Sequence, residues 1–334
     1  MPPRLTIAIP TVNRAALLGR AIESALAQTS AEIEILVSDN GSTDDTPAVI
    51  SRYADRGIRA FRRDVTISAA EHGRFLHEQA RGEFFLGLSD DDYLEPEFAA
   101  EVLALFDRHP ELSFAYTGCA VHYGDCQVPS LVGPPVEPGL DFLLAHYSGR
   151  RELSWCACVS RTRDLLELGP QPPERIIGDM FFWTRLAFRG PVGCVPRVLS
   201  HYILLREQND NISHGTSPAV WAREARLLAD EVVESARRAG ASEPFIAALR
   251  SSTRQYVART AANQFVWTRV RGGGIAQAWL WLPQGLQPLS GSPMTAARVA
   301  TALLLPRNAI RHLLLSAARR LRNRRLGNSN GESA

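Results

Sequence analysis

Short apolar runs alternate with amphipathic segments through the first 120 residues. Residues 5–10 (LTIAIP) predict a short buried strand. Next, Leu17, Leu18, Ala21, Ile22, Ala25 and Leu26 fall on one face of a helix. Residues 33–38 (IEILVS) predict a second strand, ended by the turn residues Asp39, Asn40, Gly41 and Ser42. A helix is expected over 43–56 with Thr43 or Asp44 as its cap, then a strand over 58–61, a helix over 69–80 and a strand over 84–88. A helix over 96–109 opens with Pro96 near its first turn. This alternation predicts an α/β fold with a parallel sheet and helices on both faces.

The middle of the chain is less regular. Residues 123–139 hold four Pro and three Gly and are expected to form a loop or flap. Helices are expected over 161–168 and 179–188, a strand over 192–198, and helices from 219 to about 270. A glycine triplet at 272–274 then breaks the pattern, before a Trp- and Pro-containing stretch and a basic helix.

Composition changes this picture little. Hydrophobic residues are 45% and charged residues 22%, the balance of an ordinary globular chain. Basic and acidic residues number 37 and 35, so the net +2 excludes a wholly basic coat for nucleic acid, and no nucleic-acid partner is expected. Every basic residue is Arg. The five cysteines form no CxxC pair and read as small buried thiols of a reducing compartment. No signal peptide precedes the first strand and no apolar run reaches spanning length, so a cytoplasmic location is expected.

Polar clusters stand at three predicted strand ends: Pro10-Thr11-Val12-Asn13-Arg14, Ser38 to Asp44, and Ser89-Asp90-Asp91-Asp92. Ligands of open α/β sheets bind outside the carboxyl ends of the strands. A single cluster is more often a turn with a helix cap, but three in succession weaken that explanation. A carboxylate such as Asp39 suits the imide N–H of a base, and hydroxyls and amides suit ribose and phosphates. Three adjacent acids repel one another unless a cation intervenes, and hard divalent ions use one or two carboxylates plus substrate phosphates.

Four segments together resemble family 2 inverting glycosyltransferases of GT-A fold: IPTVNR (9–14), ILVSDNGSTDDT (35–46), ARGEFFLGLSDDDYLEPEF (80–98) and GDMFFWTRLAFRG (178–190). The resemblance spans residues 4 to about 213. It implies a GT-A domain over 1–215 with a mostly parallel central sheet and helices on both faces; beyond the resemblance, the residues themselves suggest a mainly helical region over 216–326 and a disordered tail over 327–334. It also implies a first nucleotide-sugar loop at Pro10, Thr11, Asn13 and Arg14. Asp39 would read the base in a turn shaped by Asn40 and Ser42, and Asp90 would meet the ribose. Asp91 would be the main metal ligand for Mn or Mg, with Asp92 sharing the metal or holding the loop, and Asp179 the catalytic base. The donor would be a nucleotide-diphosphosugar, foremost a UDP-sugar, and the acceptor a cell-surface polysaccharide or lipid-linked glycan.

Two segments depart from the family pattern. Gln208 stands where a metal-assisting His is usual, with His214 nearby, and Glu71-His72-Gly73-Arg74 replaces an Asn-containing run. Trp155 or Trp183 would stack on a sugar ring or pack in the core. Two other classes are weighed: a non-catalytic nucleotide- or glycan-binding relative, and a nucleotidyltransferase. The second would carry a Gly-rich phosphate loop after the first strand, which PTVNRAALLG lacks.

The last segment is strongly basic. From Arg298 onward eight Arg face one acid, Glu332. Ile310, Leu313, Leu314, Ala317 and Leu321 share a helical face, and Trp279 and Trp281 lie upstream. This pattern suits peripheral contact with the inner face of the plasma membrane, or a core-packing helix with a solvated basic side.

Overall fold

A computed structural model describes residues 2–170, 178–205, 218–270 and 307–329. Among these, the chain runs β1 (Leu5–Thr11), α1 (Ala15–Leu26), β2 (Ile33–Asp39), α2 (Thr46–Ser51), β3 (Ile58–Arg62), α3 (Ala69–Gln79), β4 (Phe84–Gly87), β5 (Tyr93–Leu94) and α4 (Phe98–Arg108). It continues through β6 (Phe114–Tyr123), β7 (Cys126–Pro129), β8 (Val136–Glu137), α5 (Gly139–Tyr147), β9 (Cys158–Arg161), α6 (Thr162–Leu168), α7 (Gly178–Ala187) and β10 (Val192–Leu205). The helices α8 (Pro218–Arg238), α9 (Glu243–Val270) and α10 (Arg307–Ser329) complete it.

One sheet has the order β3-β2-β1-β4-β9-β6-β10-β5, with β7 beside β6 and β8 beside β10. The pairs β2–β3, β1–β2, β1–β4 and β6–β10 are parallel. Strand β9 is antiparallel to both its neighbours, β4 and β6, and joins the two parallel sets. Central strands are apolar on both faces because both are covered. Leu5, Ile7, Ile9, Ile35 and Val37 pack with α1 and α4, whereas Ala8 and Leu36 belong to a second core with α5, α7, α8 and α9.

Local chemistry explains where the elements begin. Helix α3 opens with a capping box: Glu71 N–H donates to Ser68 Oγ, and Ser68 N–H to the Glu71 carboxylate. The helix expected over 43–56 is shorter, because Asp44 accepts N–H bonds from Thr46 and from Ala15 of α1 and so ties 43–45 to that helix. A separate 3-10 turn covers Ala54–Arg56. The helix expected from Pro96 begins at Phe98. The expected loop over 123–139 contains β7 and β8. Gly124, at φ 60°, allows a two-residue reversal that pairs Tyr123 with Cys126. Strand β6 and helix α5 had no counterpart in the pattern of apolar positions.

Helices α8 and α9 share the second core, where Ala225, Leu228, Val232, Leu249 and Val257 join Phe142, Tyr147, Phe182 and Trp183. Helix α10 lies on the β6–β7 hairpin: Ala318 is buried with Cys126 and Val128. Arg325 grips the Glu152 carboxylate at 2.7 and 2.9 Å and donates to the Pro129 carbonyl. Ile310 is buried, while Leu313 and Leu321 are exposed. The apolar face expected for this helix is thus buried at Ile310 and exposed at Leu313, Ala317 and Leu321, while the neighbouring Ala318 meets the hairpin. Among the described residues, no helix is long and apolar enough to cross a membrane.

Candidate active site

The turns after β1 and β2 are locked together. Thr11 and Asp39 are register partners, and Asn40 N–H donates to the Thr11 carbonyl at 2.9 Å. Asn13 adopts φ 54°, a left-handed conformation that Asn tolerates better than most side-chain-bearing residues. There its N–H donates to Ser42 Oγ at 2.8 Å, and its Oδ1 accepts from Thr43 N–H at 2.8 Å. Arg14 N–H donates to Thr46 Oγ1. Asn40 clamps both backbone groups of Ile67, which holds the 65–68 segment against this turn. Gly41 has φ 82°, and a Cβ there would lie 2.8 Å from Thr66 N, so the turn requires glycine.

Asp39 is fully buried. Its Oδ1 accepts the Ser42 N–H at 2.9 Å, while its Oδ2 has no hydrogen-bond partner in the structure. Arg62 Nε stands 3.6 Å from Oδ2 as a longer ion pair. A buried carboxylate oxygen in this condition is poised to accept a hydrogen bond.

The acidic turn is held at three different atoms. Thr11 Oγ1 donates to Asp90 Oδ2 at 2.7 Å, joining it to the first loop. Arg20 Nη2 donates to the Asp91 carbonyl at 2.6 Å. Asp92 is 0% exposed and its Oδ1 accepts the Ile203 N–H of β10 at 2.9 Å. Burial and the neighbouring Asp91 carboxylate push the Asp92 pKa well up. A cation beside this pair would relieve that repulsion, so the residues fit a hard divalent ion that takes its other ligands from phosphates and water. Among the described residues, no group of three or more His, Cys, Asp or Glu side chains converges on one metal position.

Asp179 begins α7 and stays partly accessible. Its Oδ1 accepts the Met180 N–H at 2.8 Å. Desolvation raises its pKa, with the Met180 and Asp179 backbone N–H groups opposing. Tyr202 of β10 feels the charges of both this residue and the acidic turn: burial, then Asp92, Asp91 and Asp179 in that order, disfavour its ionisation. Tyr256 of α9 also feels Asp179, pushed up to about 12 by burial and then by the Asp179 charge. Neither tyrosine carries a local sequence signal; both arrive through tertiary packing.

Pro10 is half-buried on β1. In the Glu71–Arg74 run, Glu71 serves the α3 cap and Arg74 pairs with Glu78. His72 is buried with its Nε2 2.8 Å from Ser38 Oγ, and burial lowers its pKa to about 4, leaving it neutral behind Asp39. Trp183 is 3% exposed and packs against Phe114, so it offers no stacking surface. Trp155 is half-buried, its ring in the space a Cβ on Gly87 would occupy. All five cysteines are buried and free. Gln208, His214, Trp279, Trp281 and the segment before Asp179 lie outside the described residues. A crevice of about 550 Å³ between α8 and α9, lined by Arg226, Asp230, Arg250 and Arg254 among others, contains none of the strand-end residues.

Residues 6–128 match the profile of Glycosyl transferase family 2, and the fold is GT-A-like. An uncharacterized glycosyltransferase of Haemophilus influenzae is 28% identical over 138 residues, 40% of this chain and 45% of the relative. Chondroitin synthase of Escherichia coli is 31% identical over 116 residues, 34% of this chain and 17% of that enzyme. The first relatives are thus matched over about half of their length. Staphylococcus aureus TarS 1–349 in complex with UDP superposes with a TM-score of 0.60 at 17% identity, covering 97% of this chain and 92% of TarS 1–349. Mannosyltransferase PcManGT of Pyrobaculum calidifontis, with GDP-Man and Mn2+, gives a TM-score of 0.54 at 19% identity over 90% of this chain and 86% of that one.

Proposed function

We propose that the protein is a metal-dependent, inverting glycosyltransferase that moves a sugar from a nucleotide-diphosphosugar to an acceptor hydroxyl. The observation that carries the reading is the joining of three strand-end turns by side-chain hydrogen bonds, together with a buried carboxylate oxygen in the second of them, Asp39 Oδ2, that has no hydrogen-bond partner. Solved GT-A relatives bound to UDP, UDP-GlcNAc and GDP-Man support a nucleotide-sugar donor.

Asp39 Oδ2 would accept the imide N–H of the base, and Asp90, steadied by Thr11, would meet the ribose. Asp91 would hold the divalent ion, Mn or Mg, and Asp92 would fix the turn to β10. The ion, when bound, supplies positive charge to the leaving diphosphate. Asp179 would take the proton as the acceptor oxygen bonds to the anomeric carbon and the bond to the diphosphate oxygen breaks. One base and no nucleophile gives a single displacement and an inverted product.

The donor model has a separable test. Asp39→Ala is expected to weaken UDP and GDP binding with or without metal, because its partner is the base. Asp91→Asn is expected to weaken only the metal-dependent part, as chelator does to the unaltered protein. Full nucleotide binding by both variants in calorimetry would leave the model unsupported. A non-catalytic relative would bind donor yet show neither hydrolysis nor transfer in a screen of UDP-, dTDP- and GDP-sugars with Mn or Mg.

The acceptor is proposed to be a polysaccharide or lipid-linked glycan, a reading favoured by the chondroitin and hyaluronan synthases among the relatives. Peripheral membrane contact would use the solvent side of α10, where Arg319, Arg320, Arg322 and Arg324 are exposed. Attraction of this kind acts within a Debye length of about 8–10 Å and weakens with salt. Vesicles containing anionic lipid are expected to pellet the protein, and Glu at these four positions to release it without changing the melting temperature. Absence of salt-sensitive pelleting would remove the membrane from this reading.

A further inference from the structure

The acidic turn rests on a stack of side chains that makes none of the proposed donor contacts. Asp90 and Asp91 are the central residues of a turn closed by Asp92 N–H to the Ser89 carbonyl at 3.0 Å. The strand that follows, β5, is only two residues long, so its ladder alone gives the turn little rigidity. The guanidinium of Arg20, from α1, donates to the Asp91 carbonyl and lies 4.7 Å from the centroid of the Tyr93 ring. Tyr93 stacks on the His201 ring at 4.1 Å with 5° between planes, and the two are cross-strand partners on β5 and β10. His201 is fixed through both ring nitrogens: Nε2 is 2.7 Å from Glu95 Oε1, and Nδ1 is 3.0 Å from His122 Nε2. An ionised Glu95 can only accept, so neutral His201 carries its proton on Nε2 and accepts at Nδ1 from His122.

We propose that Arg20, Tyr93 and His201 are positioning residues that orient the Asp91 carboxylate toward the divalent ion. The inference rests on the reading of Asp91 as metal ligand. Arginine suits the place because its planar fork can lie on an aromatic face and donate in plane at the same time, which an ammonium cannot do. Its hydrogen bond goes to the carbonyl of Asp91 itself, so motion of the stack is passed to the residue that bears the carboxylate. Glu95 and His122 stop the His201 ring from rotating, and the ring holds Tyr93 in place. Partners of this kind that orient a metal ligand typically govern about 10–100-fold in metal affinity.

The test measures Mn2+ affinity by electron paramagnetic resonance in the presence of saturating UDP or GDP, and nucleotide affinity without metal by calorimetry. Arg20→Met is expected to weaken Mn2+ about tenfold or more, with metal-free nucleotide affinity and melting temperature kept. Tyr93→Leu is expected to reproduce the loss with Arg20 present, and Tyr93→Phe to restore it, since the stack needs the ring and not the hydroxyl. Should Arg20→Met not fold, the Tyr93 pair carries the same comparison. Unchanged Mn2+ affinity in Arg20→Met and Tyr93→Leu overturns the inference and leaves the donor reading standing. Equal losses with and without metal also overturn it, by assigning the stack a general structural role. If the unaltered protein binds neither nucleotide with Mn2+, the donor reading falls and the inference falls with it.

Discussion

Asp179→Asn is expected to slow sugar transfer by about 10²–10⁴-fold while donor binding is nearly kept. Asn has the same size and retains an oxygen for the Met180 N–H, so α7 keeps its start. What it loses is basicity. Desolvation raises the Asp179 pKa, so the carboxylate should take up its proton at a higher pH than an ordinary aspartate. Activity should therefore fall as pH drops through that raised value, and the residual rate of the Asn variant should lack this acid limb. The sign for stability is opposite. A raised native pKa means that the folded state binds the proton more tightly than the unfolded state does, so stability declines as pH rises through it. The variant, which carries no such charge, should melt no lower than the parent at neutral pH. Unchanged transfer by a well-folded Asp179→Asn protein would remove Asp179 from the mechanism.

Gly139→Ala is expected to be the most damaging single methyl group. Gly139 starts α5, and a Cβ there would lie 1.7 Å from the Ala187 carbonyl oxygen and 2.6 Å from that of Gly190. Both obstacles are backbone, so no side-chain rotation relieves them, and α5 would have to move away from the end of α7. Overpacking of this kind costs about 3 kcal/mol. At about 2–4 °C per kcal/mol for a domain of this size class, the melting temperature should fall by about 6–12 °C. The clash also presses on the end of α7, the helix that bears Asp179, so transfer should suffer beyond the loss of folded protein. A Gly139→Ala protein that melts with the parent would show that this contact yields.

The strand ends were legible because short apolar runs stop abruptly at polar turn residues, as at Thr11, Asp39 and Ser89. That juxtaposition is a property of parallel strands and needs no knowledge of the core. Strand β6 was hidden because FAYTGCAVHY is buried over most of its length and has no alternation to mark it. The differing surroundings of the three acids were equally hidden. In sequence Asp90, Asp91 and Asp92 are equivalent, and only β10, more than 100 residues later, gives Asp92 its backbone partner. Trp183 read as a candidate platform because side-chain type is visible and burial is not. Arg20 gave no signal, since an exposed arginine on an amphipathic helix is what any solvated face would carry.

The sheet order has a consequence for biosynthesis. Strand β5 is made early yet sits at the far edge of the sheet, where its partner is β10. When the ribosome has released the first 128 residues, β1 to β4 can pair in parallel, but the acidic turn has no Ile203 to receive Asp92 and no His201 beneath Tyr93. Contacts this distant in sequence form slowly, since the intervening chain must first be ordered. The turns after β1 and β2, proposed to hold the nucleotide, can therefore mature on a nascent chain well before the acidic turn proposed to hold the metal. A chain arrested near residue 190 should bind a free nucleoside through Asp39 yet gain nothing from added Mn2+, and release of β10 should bring the metal response in one step.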